Sequence, residues 1–409
     1  MDEQRSRAAG AAGGAGAGAA GTAVGAPGRV RPVTGAVTLK QVAAAAEVSL
    51  ATASRVLHRS GGRAVRGELA ERVQAAAERL GYVSNPHAQA LARARSSTVG
   101  LIVHEVTDPY FAAIAAGAMH AAHAAGVMVM MAATFRDPEL ELDYLSRLRA
   151  QGARGVLLAG SGSTDARVSA RLAEAIAAFT REGGRVAAIG ARPDAQVDAV
   201  VPANADGARA ALAHLRGLGH RRIGVVSGPP TLRTVRERLD GLGLGLGLDG
   251  LDGGLREGSG DGLRDGGGDG TSGLRVEDAD FTREGGYAAA RRLLEPHGAG
   301  RAKPVTAIIA LNDLMAAGVL AAARDTGREV PADLSVIGFD DLPFAADLGP
   351  ALSTVRLPLR QMGEHAMALL LAGDDQGAGS AVEPRTVPVP AELVLRASTA
   401  AAPAPAPRP

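Results

Sequence analysis

The stretch Thr38-Leu39-Lys40-Gln41-Val42-Ala43-Ala44-Ala45-Ala46-Glu47-Val48-Ser49-Leu50-Ala51-Thr52-Ala53-Ser54-Arg55-Val56-Leu57 holds two helix starts within twenty residues. Thr38 with Gln41 three positions on forms a capping box, in which each side chain satisfies the other residue's free N–H. Leu39, Val42, Ala43 and Ala46 then recur at helical spacing, so one face is apolar. Glu47-Val48 breaks the period, and Ser49 caps a second helix, Leu50 to about His58. That helix buries Ala53, Val56 and Leu57 and turns Leu50, Ala51, Thr52 and Arg55 outward. A third helix spans about Glu68 to Leu80, with Leu69, Val73, Ala76, Ala77 and Leu80 on one side and Gly81 as its stop. Two helices joined by a tight turn, the second presenting polar and cationic residues, suit the major groove of duplex DNA. An Arg there donates twice to guanine, which makes Arg55 the candidate base reader.

Charge agrees with this reading. The chain of 409 residues carries a net +1, yet residues 29–97 hold eleven Lys/Arg against four Glu. The 312 residues after them carry the compensating acid. A basic head on a mildly acidic body is the footprint of a polyanion partner. Cysteine is absent, which excludes a disulfide framework, a Cys-based zinc site and a thiol nucleophile, and fits a reducing compartment. Ten aromatic residues and no Trp leave the core to Ala, Val, Leu and Ile. No run of strongly apolar residues is long enough to span a membrane, so no membrane partner is expected.

Outward from the head the chain falls into blocks. Residues 1–36 are an Ala/Gly-rich tail without period, expected to be disordered. Residues 37–83 are the helical head, and 84–97 a short basic linker. From Thr98 onward, short β-rich runs (Val99–Val103, Val127–Ala132, Gly155–Leu158, Val186–Ile189, Ile223–Val226, Thr306–Ala310, Ser335–Gly338) alternate with Ala/Leu-rich helical stretches. This is the pattern of parallel sheets built from βαβ units, and its length asks for two lobes. Gly241–Leu274 interrupts it with 15 Gly in 34 residues. Each Gly costs a helix roughly 1 kcal/mol relative to Ala, so a helix begun near Thr234–Asp240 should fail here and give a solvated loop. The run lacks the preceding strand and following helix of a nucleotide-binding turn. Residues 397–409 end in Ala/Pro repeats, expected to be an unpacked tail.

Three segments make the sequence similar to the lactose-repressor (LacI/GalR) family of bacterial transcription regulators. They are Thr38–Ala43, Val48–Leu57 and Leu80-Gly81-Tyr82-Val83-Ser84-Asn85-Pro86. The resemblance runs to about residue 396. It implies an α/β protein: an all-α helix-turn-helix head plus a two-lobed, periplasmic-binding-protein-like core with parallel sheets. Lobe 1 would be about 98–203 with a returning segment near 356–390, and lobe 2 about 204–355 with the final strand. By the same resemblance Leu50, Ala51 and Arg55 read bases, Thr52 and Ser54 lie near phosphates, and the caps Thr38 and Ser49 join this DNA-facing set. Asn85–Arg93 resembles the family's hinge helix. Pro86 suits its first turn, and Asn85, His87, Ala88 and Leu91 are its DNA-facing candidates, with Leu91 as a minor-groove wedge. Glu47 departs from the family, which favours Gly in the turn, and the loop Arg59–Gly67 is about two residues longer than usual.

Ligands of open α/β sheets sit at the carboxyl ends of strands, where two lobes face each other. There the resemblance places Asp108, Tyr110 and Phe111 after the first strand, then Arg238, Phe281, Asn312 and Asp340. Carboxylates, an amide and an Arg together suit polyol hydroxyls, which donate and accept at once. Asp313 and Asp341 have a plainer reading as helix caps. Ala203 and Leu357 stand where the family has polar residues, which points away from a simple hexose. No nucleophile elbow, metal helix or cofactor motif is present, so neither an enzyme nor a cofactor is expected. The sequence therefore reads as a cytoplasmic, nucleoid-associated, homodimeric repressor controlled by a carbohydrate effector and bound to a near-palindromic operator. The competing reading is a solute-binding receptor of the same core, which has no use for the basic head. Deleting Gly243–Gly270 should leave DNA binding intact in a gel-shift assay; lost solubility or lost binding would show that the insertion is more than a loop.

Overall fold

The computed structural model describes residues 37–58, 67–83, 97–244, 274–295, 304–372 and 383–404. The chain divides into two units, residues 1–85 and 86–409, each described by itself. The hinge residues Asn85, His87, Ala88 and Leu91, the tail 1–36, most of the loop Arg59–Gly67 and nearly all of the Gly-rich run lie outside the described residues.

The first unit holds α1 (Leu39–Ala45), α2 (Leu50–His58) and α3 (Gly67–Leu80). Its core is Val42, Ala43, Ala46, Ala53, Val73, Ala76 and Ala77. Such small side chains bring the helices close. The capping box forms: Thr38 N–H donates to Gln41 Oε1 at 2.7 Å and Gln41 N–H to Thr38 Oγ1 at 3.4 Å. Glu47 takes φ 51°, a left-handed conformation in which Gly pays no steric cost; this is the physical reason for the family's preference at that position. The turn is held by Val48 N–H on Ala43 O at 3.0 Å and by Arg72 Nη2 on Ala46 O at 2.6 Å. Leu80, read as core-facing, is 36% exposed.

The second unit is two six-stranded sheets with helices on their faces. The first lobe runs β1 (Thr98–Val103), α4 (Pro109–Ala124), β2 (Met128–Ala133), α5 (Pro138–Ala150), β3 (Gly155–Leu158), α6 (Ala166–Arg181), β4 (Arg185–Ile189) and β5 (Asp198–Pro202). The second runs α7 (Asn204–Gly217), β6 (Ile223–Ser227), α8 (Arg233–Gly241), β7 (Leu274–Asp278), α9 (Arg283–Leu294), β8 (Ala307–Ala310), α10 (Asp313–Asp325), β9 (Ser335–Asp340) and β10 (Ser353–Arg356). The chain then returns: α11 (Leu359–Leu371) and β11 (Thr386–Val389) join the first lobe, and β12 (Glu392–Val394) the second. The sheet orders are β11-β5-β4-β3-β1-β2 and β12-β10-β9-β8-β6-β7, with every pairing parallel except β10 with β12. Three connections thus cross between lobes, after Pro202, Arg356 and Val389. As the Gly content requires, α8 stops at Gly241, and Gly243 follows at φ 74°.

Glycine also lets helices touch inside the lobes. A Cβ on Gly117 of α4 would lie 1.9 Å from Arg360 O, and one on Gly363 of α11 would lie 2.0 Å from Ile114 O. This reciprocal contact seats the returning helix. The C-terminal segment corrects the expectation of an unpacked tail from 397. Ser398 is fully buried, taking Ser353 N–H at 2.8 Å and donating to Val336 O at 2.6 Å, and Ala402 N–H donates to Leu218 O at 2.8 Å. Buried backbone groups demand partners, and this segment supplies them despite its Ala-rich composition. Gly363→Val is expected to lower stability by about 1–3 kcal/mol through overpacking, while Gly217→Ala, with nothing within 4 Å of the added Cβ, should be neutral or better in urea unfolding.

Candidate functional site

In the first unit the outward face of α2 is built as the sequence suggested. Ser49 accepts Thr52 N–H at 3.1 Å, and its Oγ lies 2.8 Å from Thr52 Oγ1, so the helix start is capped twice over. Leu50 is 52% exposed, Ala51 and Arg55 are exposed, and Thr52 and Ser54 are half-buried beside the fully buried Ala53. Arg55 Nε donates to Ala51 O at 3.2 Å, which lays the side chain along its own helix. Thr38 is exposed at the start of α1. An apolar tip, a small residue and a cation share one exposed helical face, uncovered among the described residues.

In the second unit the carboxyl ends of the strands converge on a cavity. Asp108, Tyr110, Phe111, Arg238, Phe281, Asn312 and Asp340 all line it. At its base lies an ion pair, Arg238 Nη2 to Asp340 Oδ1 at 2.9 Å, with the two side chains 2% and 4% exposed. Arg238 Nε donates to Asn204 Oδ1 at 3.0 Å, its Nη1 donates to Leu311 O, and its guanidinium lies 3.7 Å from the Phe339 ring centre. Burial pushes the Asp340 carboxyl up to about 8, against the pull of Arg238. Asp108 caps α4, accepting Tyr110 N–H at 2.9 Å, and burial raises its pKa too. Asn312 caps α10, accepting Met315 N–H at 2.8 Å, while its Nδ2 donates to Phe281 O at 3.3 Å.

The plainer reading of Asp313 and Asp341 as helix caps does not hold. Asp313 accepts from Leu342 N–H at 2.7 Å and Thr354 Oγ1 at 2.6 Å, and Asp341 pairs with Arg356 and Arg396, each at 2.7 Å. Phe111 serves the core as well as the cavity, meeting His104 and Tyr110 edge-on at 5.7 and 5.0 Å. Among the described residues six non-glycines have positive φ, and five of them, Phe135, Arg136, Phe281, Asp340 and Asp341, stand at or beside the cavity. Such conformations cost on the order of 1–3 kcal/mol each and gather where geometry serves a ligand.

Sequence reasoning missed His104, Arg136, Ser161 and Asn204. The first three follow β1, β2 and β3 at the ends facing the cleft, so the strand-end rule applied to every strand would have found them. His104 Nδ1 lies 3.1 Å from Thr134 Oγ1, and burial, then Arg192 and Arg136, lower its pKa to about 3. Arg136 reaches across the cleft to the Phe281 ring, 5.7 Å from its centre.

A latch of backbone hydrogen bonds joins the two lobes beside the cleft. Thr164 N–H donates to Thr231 O and Arg233 N–H to Gly162 O, both at 2.8 Å, making Ser163 and Leu232 an antiparallel bridge between lobes. Thr234 N–H adds a bond to Ser161 Oγ at 3.0 Å.

Because His104 is neutral in the fold to about pH 3 and titrates near 6.5 when unfolded, the unfolded chain binds the extra proton between those values. The stability due to the neutral ring is full above 6.5 and is lost as pH falls toward 3, by at most about 1.4 kcal/mol per pH unit. In urea unfolding at pH 7 and pH 5, His104→Gln should therefore lose less stability on acidification than the wild type; an equal loss would show that His104 is not held neutral.

Three family models match the chain. "Bacterial regulatory proteins, lacI family" covers residues 38–85, "Periplasmic binding proteins and sugar binding domain of LacI family" covers 96–247, and "Periplasmic binding protein-like domain" covers 212–399. The transcriptional repressor CytR of Escherichia coli K12 is 30% identical, over 90% of this chain and 97% of its own. The structure of the transcriptional regulator CelR with cellobiose is 31% identical, with a TM-score of 0.57 over 88% of this chain and 99% of that one. The lac repressor dimer on its operator, at 24% identity, shares the fold with a TM-score of 0.71 over 90% of this chain and 100% of that one. With a helix-turn-helix at one end and a two-lobed cleft filling the rest, the chain belongs to the LacI family of DNA-binding transcriptional regulators and is not an enzyme.

Proposed function

We propose that the protein is a cytoplasmic, homodimeric repressor whose grip on a near-palindromic operator is set by a carbohydrate in the cleft. The observation that carries this is the convergence of Asp108, Asn312, Arg238 and Asp340 with the rings of Tyr110 and Phe281 on one cavity. Carboxylates accept and guanidinium and amide donate, so a hydroxyl finds both partners, while a ring face receives the apolar side of a sugar. On the head, Leu50, Ala51 and Arg55 read the major groove, and Thr38, Ser49, Thr52 and Ser54 hold the backbone. The domain scheme follows: head 37–83, hinge 84–97 with Asn85, His87, Ala88 and Leu91 toward the minor groove, core 98–396.

Dimer formation has support on lobe 1. Its edge strand β2 exposes Met128 at 64% and Met130 and Met131 at about 45%, with Phe135 at 63% beside them. An exposed apolar sheet edge is a surface that proteins cover, and a second copy does so while pairing two heads for two half-sites. In gel shifts with a duplex selected from a random pool, Arg55→Ala should lose about 1–3 kcal/mol of specific affinity; wild-type affinity would remove Arg55 from base reading. In the same assay Asp340→Asn should keep operator affinity and lose the response to sugar. A sugar at 100 times its Kd should stabilise the wild type by about 2.7 kcal/mol in thermal unfolding, and should leave Asp340→Asn unmoved.

A further inference from the structure

Beside the cleft lies a second chamber of about 270 Å³, which shares His104, Arg136, Ser161 and Leu232 with it. Its inner wall carries Arg192, whose side chain is only 5% exposed. Arg192 Nη2 donates to Gly160 O at 2.7 Å and lies 3.7 Å from Glu141 Oε1, while its Nε and Nη1 have no partner among the described residues. Buried guanidinium N–H groups left unpaired are costly, and here they belong to a side chain that lines the chamber. Gly162 makes the space: a Cβ there would lie 2.5 Å from Arg192 Nη1. Glu141, 12% exposed, puts an acceptor next to these donors. His104 lines both cavities at their junction.

The charge on the walls selects the ligand class. Arg136, Arg192 and Arg233 face the carboxylates of Asp137, Glu141, Asp165 and Asp194. An anion would meet more like charges than opposite ones. A neutral molecule with vicinal hydroxyls meets a donor and an acceptor side by side at Arg192 and Glu141. We propose that this chamber is a second sugar subsite, so that the effector is a saccharide of at least two rings: one at Arg238 and Asp340, the next against Arg192 and Glu141, linked past His104. This rests on the reading that the cleft takes a carbohydrate.

Calorimetry on the full chain tests it with glucose, cellobiose, maltose, xylose, xylobiose and glucose 6-phosphate. In the series that binds, the disaccharide should bind about tenfold tighter than its monosaccharide or better. Ala173→Trp, which fills the chamber from α6, should bring the disaccharide down to the monosaccharide's affinity and leave the monosaccharide unchanged. Arg192→Gln should act in the same direction. Equal affinities for one and two rings, an Ala173→Trp variant that binds disaccharide as well as wild type, or a preference for glucose 6-phosphate would overturn the subsite and leave the cleft reading standing. Binding of none of these sugars, with operator binding intact, would overturn both.

Discussion

The buried contact of Arg238 with Asp340 is the constraint on which the effector domain turns. A guanidinium and a carboxyl removed from water repay their desolvation only when their remaining hydrogen-bonding groups are satisfied. Arg238 meets this through Asn204, Leu311, Asp340 and the face of Phe339. These partners come from three places: the start of α7, the end of β8, and two successive residues closing β9, with Arg238 itself on α8. Asn204 is the first helical residue after the chain crosses from lobe 1. The contact therefore fixes the crossing against the second sheet, and a ligand that bonds to Asp340 enters the network that sets how the lobes join.

Much of this was legible in the sequence, for reasons that separate the parts. The head was readable because caps and period agree: Thr38 with Gln41, Ser49 before Leu50, Gly81 after Leu80. The cleft residues were named because strand ends are where α/β ligands sit, and because the family resemblance marks the loops that matter. Arg136 and Ser161 have ordinary side chains and are marked only by their place after β2 and β3; the backbone turn at φ 52° and 64° over Phe135 and Arg136 brings the cation to the cleft, a bend that no composition signal encodes. Strands β5, β7, β10 and β11 escaped because they are short or carry charge. Leu274-Arg275-Val276-Glu277-Asp278 reads as polar and is the edge strand of its sheet, where charge is the usual guard against stray pairing.

Glycine shows how composition misleads. Its excess looked like a property of the first tail and the run 241–274. Inside the lobes, however, Gly117 and Gly363 permit a backbone contact between α4 and α11, and Gly286 and Gly318 do the same for α9 and α10, where an added Cβ would lie 2.4 Å from Met315 O or 2.1 Å from Arg283 O. With few aromatics to fill space, the core gains density by bringing helices together around missing side chains. Such a core tolerates little enlargement at these positions.

The latch between Ser161–Thr164 and Thr231–Thr234 bears on time as well as affinity. Where backbone hydrogen bonds tie the lobes beside a bound molecule, its residence is governed by how readily that tie opens as well as by its own contacts. The regulator would then keep a memory of its effector after the free concentration has fallen. Its gene would respond to a sustained supply and smooth over brief fluctuations.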